Sequence, residues 1–369
     1  MTTGSLFVDL RRVALMERSI RATRRKSTNS VAGVREDEAR WRELRGVLDG
    51  GRGWLGEAAG ALYPDVPRVA GTALLCRDGW VPDVPVPLAG VRLEWEARAV
   101  PPAVVDPPDG LPSGYRTYAD AMAALAPPRV FENRPAYRLL AAAPPVLRLG
   151  PARYFDGVNV GEAVAHELAA CEGGGLPLRD RIGDPCDLSR RAALPAITTV
   201  TLTASGSYVL HWRDPAKVAH AGGLHQVMPV GVFQPLGGEP PDMWECMVRE
   251  YAEELLGMDE HYGEGFVQAE WPFHREMTAA RDGGRVRPYF LGLGVDPLTF
   301  ALDLLTAVVI DDDVFRDLFG GLVAVNAEGE VSLAPFDGTV PQPVQPAGAA
   351  ALALAWRHRR TLLPALSSR

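Results

Sequence analysis

The segment Arg249-Glu250-Tyr251-Ala252-Glu253-Glu254 places one arginine and three carboxylates within six residues. Glu250, Glu253 and Glu254 stand at i, i+3 and i+4, a spacing that gathers them on one face of an α-helix. Trp244, Val248, Tyr251 and Leu255 recur at helical spacing on the other side. Such a helix lies on a core through its apolar stripe and turns carboxylate oxygens outward. Hard divalent cations such as Mg2+ or Mn2+ take such ligands, commonly together with substrate phosphates. The competing reading is a solvated acidic face with an ordinary Arg–Glu pair.

Strands must carry this helix. Ile197–Thr203 is β-branched and alternating, Ser205-Gly206-Ser207 reads as a turn, and Tyr208–Trp212 returns as a second strand. His225–Pro235 is a third extended segment running into the loop before the acidic helix. After that helix, Gly263–Trp271 reads as a loop or short strand and Phe273–Ala280 as a helix. Arg287–Val295 and Leu304–Ile310 read as buried strands. Asp311–Gly320 begins with Asp311-Asp312-Asp313, which suits a helix N-terminus. Residues 330–345 are extended and Pro-rich. Ala347–Leu363 is an Ala/Leu helix whose closing Arg357, His358, Arg359 and Arg360 suit a C-terminus and need no partner.

The N-terminal half is less regular. Arg11, Arg12, Arg18, Arg21, Arg24, Arg25 and Lys26 form a basic block, followed by a mixed-charge helix near Glu36–Leu48. With no helix-turn-helix pattern in view, the block reads as a solvated or docking arm rather than a nucleic-acid arm. Gly71–Cys76 and Val91–Ala97 alternate as strands, Pro101–Pro112 reads as a linker, and Tyr115–Leu125 as a helix that Pro127-Pro128 stops. Gly161–Cys171 is a helix carrying His166-Glu167. Position 170 is Ala, so this is not an HExxH zinc pattern, and the pair reads as packed or hydrogen-bonded.

Composition bounds the rest. The chain has 369 residues, 47% hydrophobic and 23% charged, with a net charge of −8. This is ordinary for a globular protein and carries no global footprint for nucleic acid. No run of about 18 apolar residues suggests a membrane span, and no apolar signal core opens the chain. Cys76, Cys171, Cys186 and Cys246 are scattered singly, without CxxC or zinc spacing, which points to reduced thiols in the cytoplasm.

The acidic segment resembles the helix of the Nudix box: Gly, five residues, Glu, seven residues, then Arg-Glu-aliphatic-x-Glu-Glu-x-Gly-aliphatic. Arg249, Glu250, Glu253 and Glu254 match residue by residue, while Tyr251 stands at an aliphatic position. Gly257 closes the motif one residue late, and Pro235 and Pro241 stand where the first Gly and the Glu belong. Gly231, Gly237, Gly238 and Glu239 lie nearby out of register. Residues 110–363 also resemble a group of actinobacterial proteins with a divergent Nudix-like domain, often labelled transcriptional regulators. Phe131-Glu132-Asn133-Arg134, Tyr154-Phe155-Asp156, His166-Glu167-Leu168-Ala169, His211-Trp212-Arg213-Asp214-Pro215, Phe233-Gln234-Pro235 and Pro346-Ala347-Gly348 carry that resemblance.

The resemblance implies an α/β (α+β) fold: a Nudix-like α/β/α sandwich with a mixed sheet plus an N-terminal extension domain. The expected organisation is an arm over 1–50, a Pro-rich α+β domain over 51–189, the Nudix-like domain over 190–330 and a C-terminal extension over 331–369. The implied activity is divalent-metal-dependent hydrolysis of a diphosphate linkage in a small, nucleotide-like substrate. Glu250, Glu253 and Glu254 would hold Mg2+ or Mn2+, and Arg249 would pair with a glutamate to brace loop and helix. A further acidic ligand or base would come from Asp296, Asp303 or Glu270. Phe233 and Gln234 either stack on and read a base or serve as a core aromatic and a backbone-bonded amide. Arg213 and Asp214 either contact phosphate and ribose or pair with each other. A non-catalytic ligand-binding or regulatory relative, and unusual chemistry on the same scaffold, stay open as alternatives, as does a homodimer. No membrane partner is expected.

Overall fold

The computed structural model describes residues 31–102, 110–128, 130–171, 173–213, 223–237, 240–258, 265–320 and 329–364. The basic block of the expected arm lies outside the described residues. The fold is mixed α/β, as expected. Its strands are β1 (Val86–Pro87), β2 (Arg92–Trp95), β3 (Pro135–Ala143), β4 (Val146–Arg153), β5 (Pro195–Thr203), β6 (Ser207–Arg213), β7 (Leu224–Val227), β8 (Val230–Val232), β9 (Val286–Val295), β10 (Leu302–Ile310) and β11 (Gly329–Pro335). Its helices are α1 (Val31–Ala61), α2 (Tyr118–Leu125), α3 (Tyr154–Ala170), α4 (Pro177–Ile182), α5 (Met243–Leu256), α6 (Pro272–Asp282), α7 (Asp312–Phe319), α8 (Pro346–Arg357) and α9 (Arg359–Leu362).

The principal sheet runs β1-β9-β10-β5-β6-β11, with β7 on β6 and β8 on β5. β10 and β5 are parallel from Leu302↔Pro195 to Ile310↔Thr203, and the neighbouring pairs are antiparallel, so the sheet is mixed. β5 and β10 are buried along nearly their whole length, which is why the apolar run of β10 hardly alternates. A smaller sheet, β2-β4-β3, meets the first through Tyr137 N donating to Phe233 O at 3.2 Å and Leu139 N to Ala193 O at 2.9 Å.

The N-terminal elements join this body rather than forming a separable arm. α1 extends well beyond the expected Glu36–Leu48 and crosses the boundary expected at residue 50. The run Asp49-Gly50-Gly51-Arg52-Gly53 reads locally as a helix stop. Tertiary packing overrides it: Trp41, Leu48 and Leu55, one heptad apart, are all buried. Gly71–Cys76 is likewise not a strand but a 3-10 turn at Val69–Gly71 followed by isolated bridges from Leu75 to Arg68 and to Val295.

A polar network fixes α1 to α3. The buried Arg45 bonds the Tyr118 hydroxyl at 3.1 Å, pairs with Asp49 at 3.1 Å and pairs with Glu162. Arg52 reaches the same Glu162 carboxylate at 2.9 Å. Tyr118 also bonds His166 Nδ1 at 2.9 Å. Burial, reinforced by Arg45, pushes His166 down to about 4, so it is neutral near pH 7. Glu167 turns the other way and accepts from Leu178 N and Arg179 N at the start of α4. The His-Glu pair is therefore structural, with each member bonded elsewhere.

Burial alone would raise the Glu162 carboxyl; Arg52 and then Arg45 more than offset it and hold it at about 2. Its folded value thus lies below the ordinary 4.5. The associated stability is present above 4.5 and is lost as pH falls toward 2. Glu162→Gln should cost roughly 3 kcal/mol, since it leaves the buried Arg45 and the half-buried Arg52 short of their counter-charge. Urea denaturation at pH 7 and pH 3 measures this; a loss under 0.5 kcal/mol at pH 7 (about the size of a surface substitution) would sink it.

Candidate functional site

α5 starts where Asp242 Oδ1 accepts from Trp244 N at 2.8 Å and Glu245 N at 3.1 Å. It stops at Gly257, which takes the left-handed conformation at φ 66°. Trp244, Val248, Tyr251 and Leu255 are buried against the sheet, as their spacing predicts. Tyr251 departs from the aliphatic pattern for a local reason: its hydroxyl bonds Thr201 Oγ1 at 2.7 Å, joining two buried polar groups.

Arg249 is buried. It donates to Gln268 Oε1 at 2.6 Å and to Gln234 O at 2.8 Å. The brace between helix and preceding loop is present, but it runs through an amide and a carbonyl where the resemblance implies a glutamate. Glu250, Glu253 and Glu254 are half-buried. The Glu250 carboxylate lies against Gly231, where an added Cβ would overlap it. Glu254 Oε2 accepts from Val230 N at 3.2 Å. Two of the three carboxylates are thus seated on β8. Their oxygen donors suit a hard cation. As they stand, no group of three or more His, Cys, Asp and Glu side chains among the described residues is gathered to hold a metal.

The remaining expected residues separate. Phe233 is fully buried and packs edge-on against Tyr137, with ring centroids 4.8 Å apart, so it is a core aromatic with no face to offer a base. Gln234 acts through its backbone carbonyl on Arg249. Arg213 bonds Gln226 Oε1 at 3.3 Å. Asp214, Gly238 and Glu239 lie outside the described residues. Glu270 is exposed. Asp311 pairs with Arg287 at 2.9 Å, and Asp312 Oδ1 accepts from Ser205 Oγ at 2.7 Å, which accounts for these acids as structural.

A cavity of about 920 Å3 lies on the opposite face of the sheet from α5. Alternation along β5 and β8 makes the division. Ala196, Thr198, Val230 and Val232 line the cavity, whereas Thr201 and Gly231 face α5. α8 and α3 close the far wall, with Arg52, Glu162, Arg191, Arg213, Gln226, Phe300 and both Asp296 and Asp303 among the lining residues. Asp303 accepts from Thr198 Oγ1 at 2.8 Å, and burial raises its carboxyl to about 7. Burial also raises Asp296, whose carboxylate accepts from Leu298 N and Thr299 Oγ1. Asp296 and Asp303 therefore belong to the cavity, across the sheet from the glutamates they were expected to join.

Sequence reasoning missed Arg191, Thr198, Gln226 and Phe300. One signal was available for the cavity: Asp303 is the one charged residue of a strand that is apolar apart from Thr306, and a carboxylate there has to face something polar. The expected strand began at Leu304 and left Asp303 outside it.

No family model matches the chain, and no curated protein matches it. Among solved structures, a Nudix hydrolase from M. Smegmatis, RenU, is similar at 14% identity. The match covers 47% of this chain and 86% of that one, with a TM-score of 0.26. A likeness of that size decides nothing about this chain. No helix among the described residues is long and apolar enough to cross a membrane.

Two substitutions test the geometry. Phe233→Ala should cost about 3–5 kcal/mol in denaturant titrations, the range for truncating a core phenylalanine; a cost under about 1 kcal/mol would show that Phe233 is not part of the core. Gly231→Ala should fold, at a cost of about 1 kcal/mol for displacing the Glu250 carboxylate. That cost should vanish in a Glu250→Ala background, and additive costs in the double-mutant cycle would contradict the seating of Glu250 on Gly231.

Proposed function

We propose that this protein is a divalent-metal-dependent, Nudix-type hydrolase that cleaves a diphosphate linkage in a nucleotide-like substrate. The observation that carries the reading is the seating of Glu250 and Glu254 on β8, the strand whose other face lines the cavity. The acidic face of α5 would serve the phosphates, while the cavity across the sheet is a separate pocket with room for a ligand of its own. Glu250, Glu253 and Glu254 would hold Mg2+ or Mn2+, which when bound would shield phosphate charge and activate a water. Arg249 keeps the loop at Gln234 fixed on α5, so the acidic face holds its position relative to β8.

A second reading is favoured by a specific observation: the carboxylates are not gathered into a three-ligand group among the described residues. On that reading the protein binds its ligand in the cavity without hydrolysing it.

Product release from a panel of nucleoside diphosphate derivatives, with Mg2+ or Mn2+ and with EDTA, separates the two. The hydrolase should turn over only with metal, and Glu253→Gln should lower kcat at least ~100-fold with the far-UV spectrum unchanged. Ligand binding by the folded protein with no metal-dependent release across the panel would reject the hydrolase and leave the binder.

A further inference from the structure

Arg191 is a cation of the cavity wall that no carboxylate pairs with among the described residues. It is 4% exposed. Its Nη2 donates to Pro185 O at 3.0 Å, and its Nε is buried without a hydrogen-bond partner. Among the described residues no carboxylate forms a salt bridge with it. Two acidic side chains act on it electrostatically: the Cys186 thiol, whose own pKa burial pushes up to about 12, and Asp184, which is itself paired with Arg77 at 2.6 Å. The contrast lies in the same wall, where Arg52 is matched by Glu162 and Asp49.

The flank of Arg191 is also set. Its guanidinium lies 5.7 Å from the centre of the Phe300 ring, and Arg179 lies 4.8 Å from the same ring. Phe300 is held at φ 56°, a left-handed conformation unusual for a bulky residue. A fully buried guanidinium with an unmet N–H is costly unless something completes it. Burial lowers its pKa only to about 10, so it stays charged at neutral pH.

We propose that Arg191 is the anchor of an oxyanion subsite in the cavity, so that the ligand carries a phosphate or carboxylate on the part held between the sheet and α3. The guanidinium fork matches either group in a paired, charge-assisted geometry. The subsite lies across the sheet from the glutamates, so this anion is distinct from the diphosphate assigned to α5. The inference uses the proposed function only in taking the cavity as a ligand site, and it holds whether or not α5 binds metal.

Calorimetric titration in EDTA, where no metal-dependent turnover occurs, tests it with inorganic phosphate, acetate, adenosine 5′-monophosphate and adenosine. Wild-type protein should bind at least one of the three anions and bind adenosine more weakly than its monophosphate. The acetate and phosphate arms tell which oxyanion is preferred. Arg191→Met should weaken the anion at least about tenfold, the loss of a charge-assisted pair. If that variant does not fold, Arg191→Lys decides: a folded protein with at least about tenfold weaker anion binding supports the subsite, because a point charge does not replace the fork. Unchanged anion affinity in either folded variant, or no anion binding by the folded wild type, overturns it. A merely structural Arg191 would show as a lowered melting temperature with anion affinity intact. The EDTA condition separates this outcome from failure of the hydrolase reading, which is decided only by metal-dependent turnover.

Discussion

The two-residue alternation of β5 and its partner β8 is the constraint on which the rest of the site depends. A strand has two faces, and neighbouring residues cannot share one. Thr198 therefore turns to the cavity and meets Asp303, while Thr201 turns away and meets Tyr251. β8 is only three residues long, yet it serves both faces: Val230 and Val232 stand on the cavity wall, and Gly231 lies beneath Glu250. Slipping β8 by one residue would exchange the two faces and put a valine side chain where the Glu250 carboxylate lies.

Buried arginines hold the pieces around that sheet, each by a different means. Arg45 meets carboxylates and a phenol between α1 and α3. Arg179 caps backbone carbonyls, donating to Pro297 O at 2.8 Å and Val164 O at 3.3 Å, and so ties α4 to the turn between β9 and β10. Arg249 spans an amide and a carbonyl at the base of α5. In each the charge is met by dipoles or counter-charges, which is what burial of a guanidinium requires. Among the described residues Arg191 differs in bonding one carbonyl and flanking a ring with no salt bridge, and that difference is what the proposed ligand would complete.

Much of the local structure was legible. The hairpin from Ile197 to Trp212, the strand pair β9 and β10, and the amphipathic course of α5 follow from β-branched alternation, apolar runs and helical spacing. Elements failed where packing outvoted local propensity. The glycines at 50, 51 and 53 read as a break, yet α1 passes through them because Leu48 and Leu55 are buried on either side. At the site, residue type alone left Phe233 poised between stacking platform and core, and only the contact with Tyr137 places it in the core.

By itself the sequence determined that Glu250, Glu253 and Glu254 share a helical face, and that this helix carries an apolar stripe on its other side. Those are properties of one period within one element. Only the tertiary structure decided that Asp296 and Asp303 lie across the sheet from those glutamates, that Arg249 bonds Gln234 and Gln268, and that Arg191 lines a cavity with no salt-bridge partner among the described residues. Each of these depends on which strand lies beside which and in what register. Pairings between residues as far apart as Thr198 and Asp303 leave no periodic trace in the chain, so they are set by packing and not by spacing.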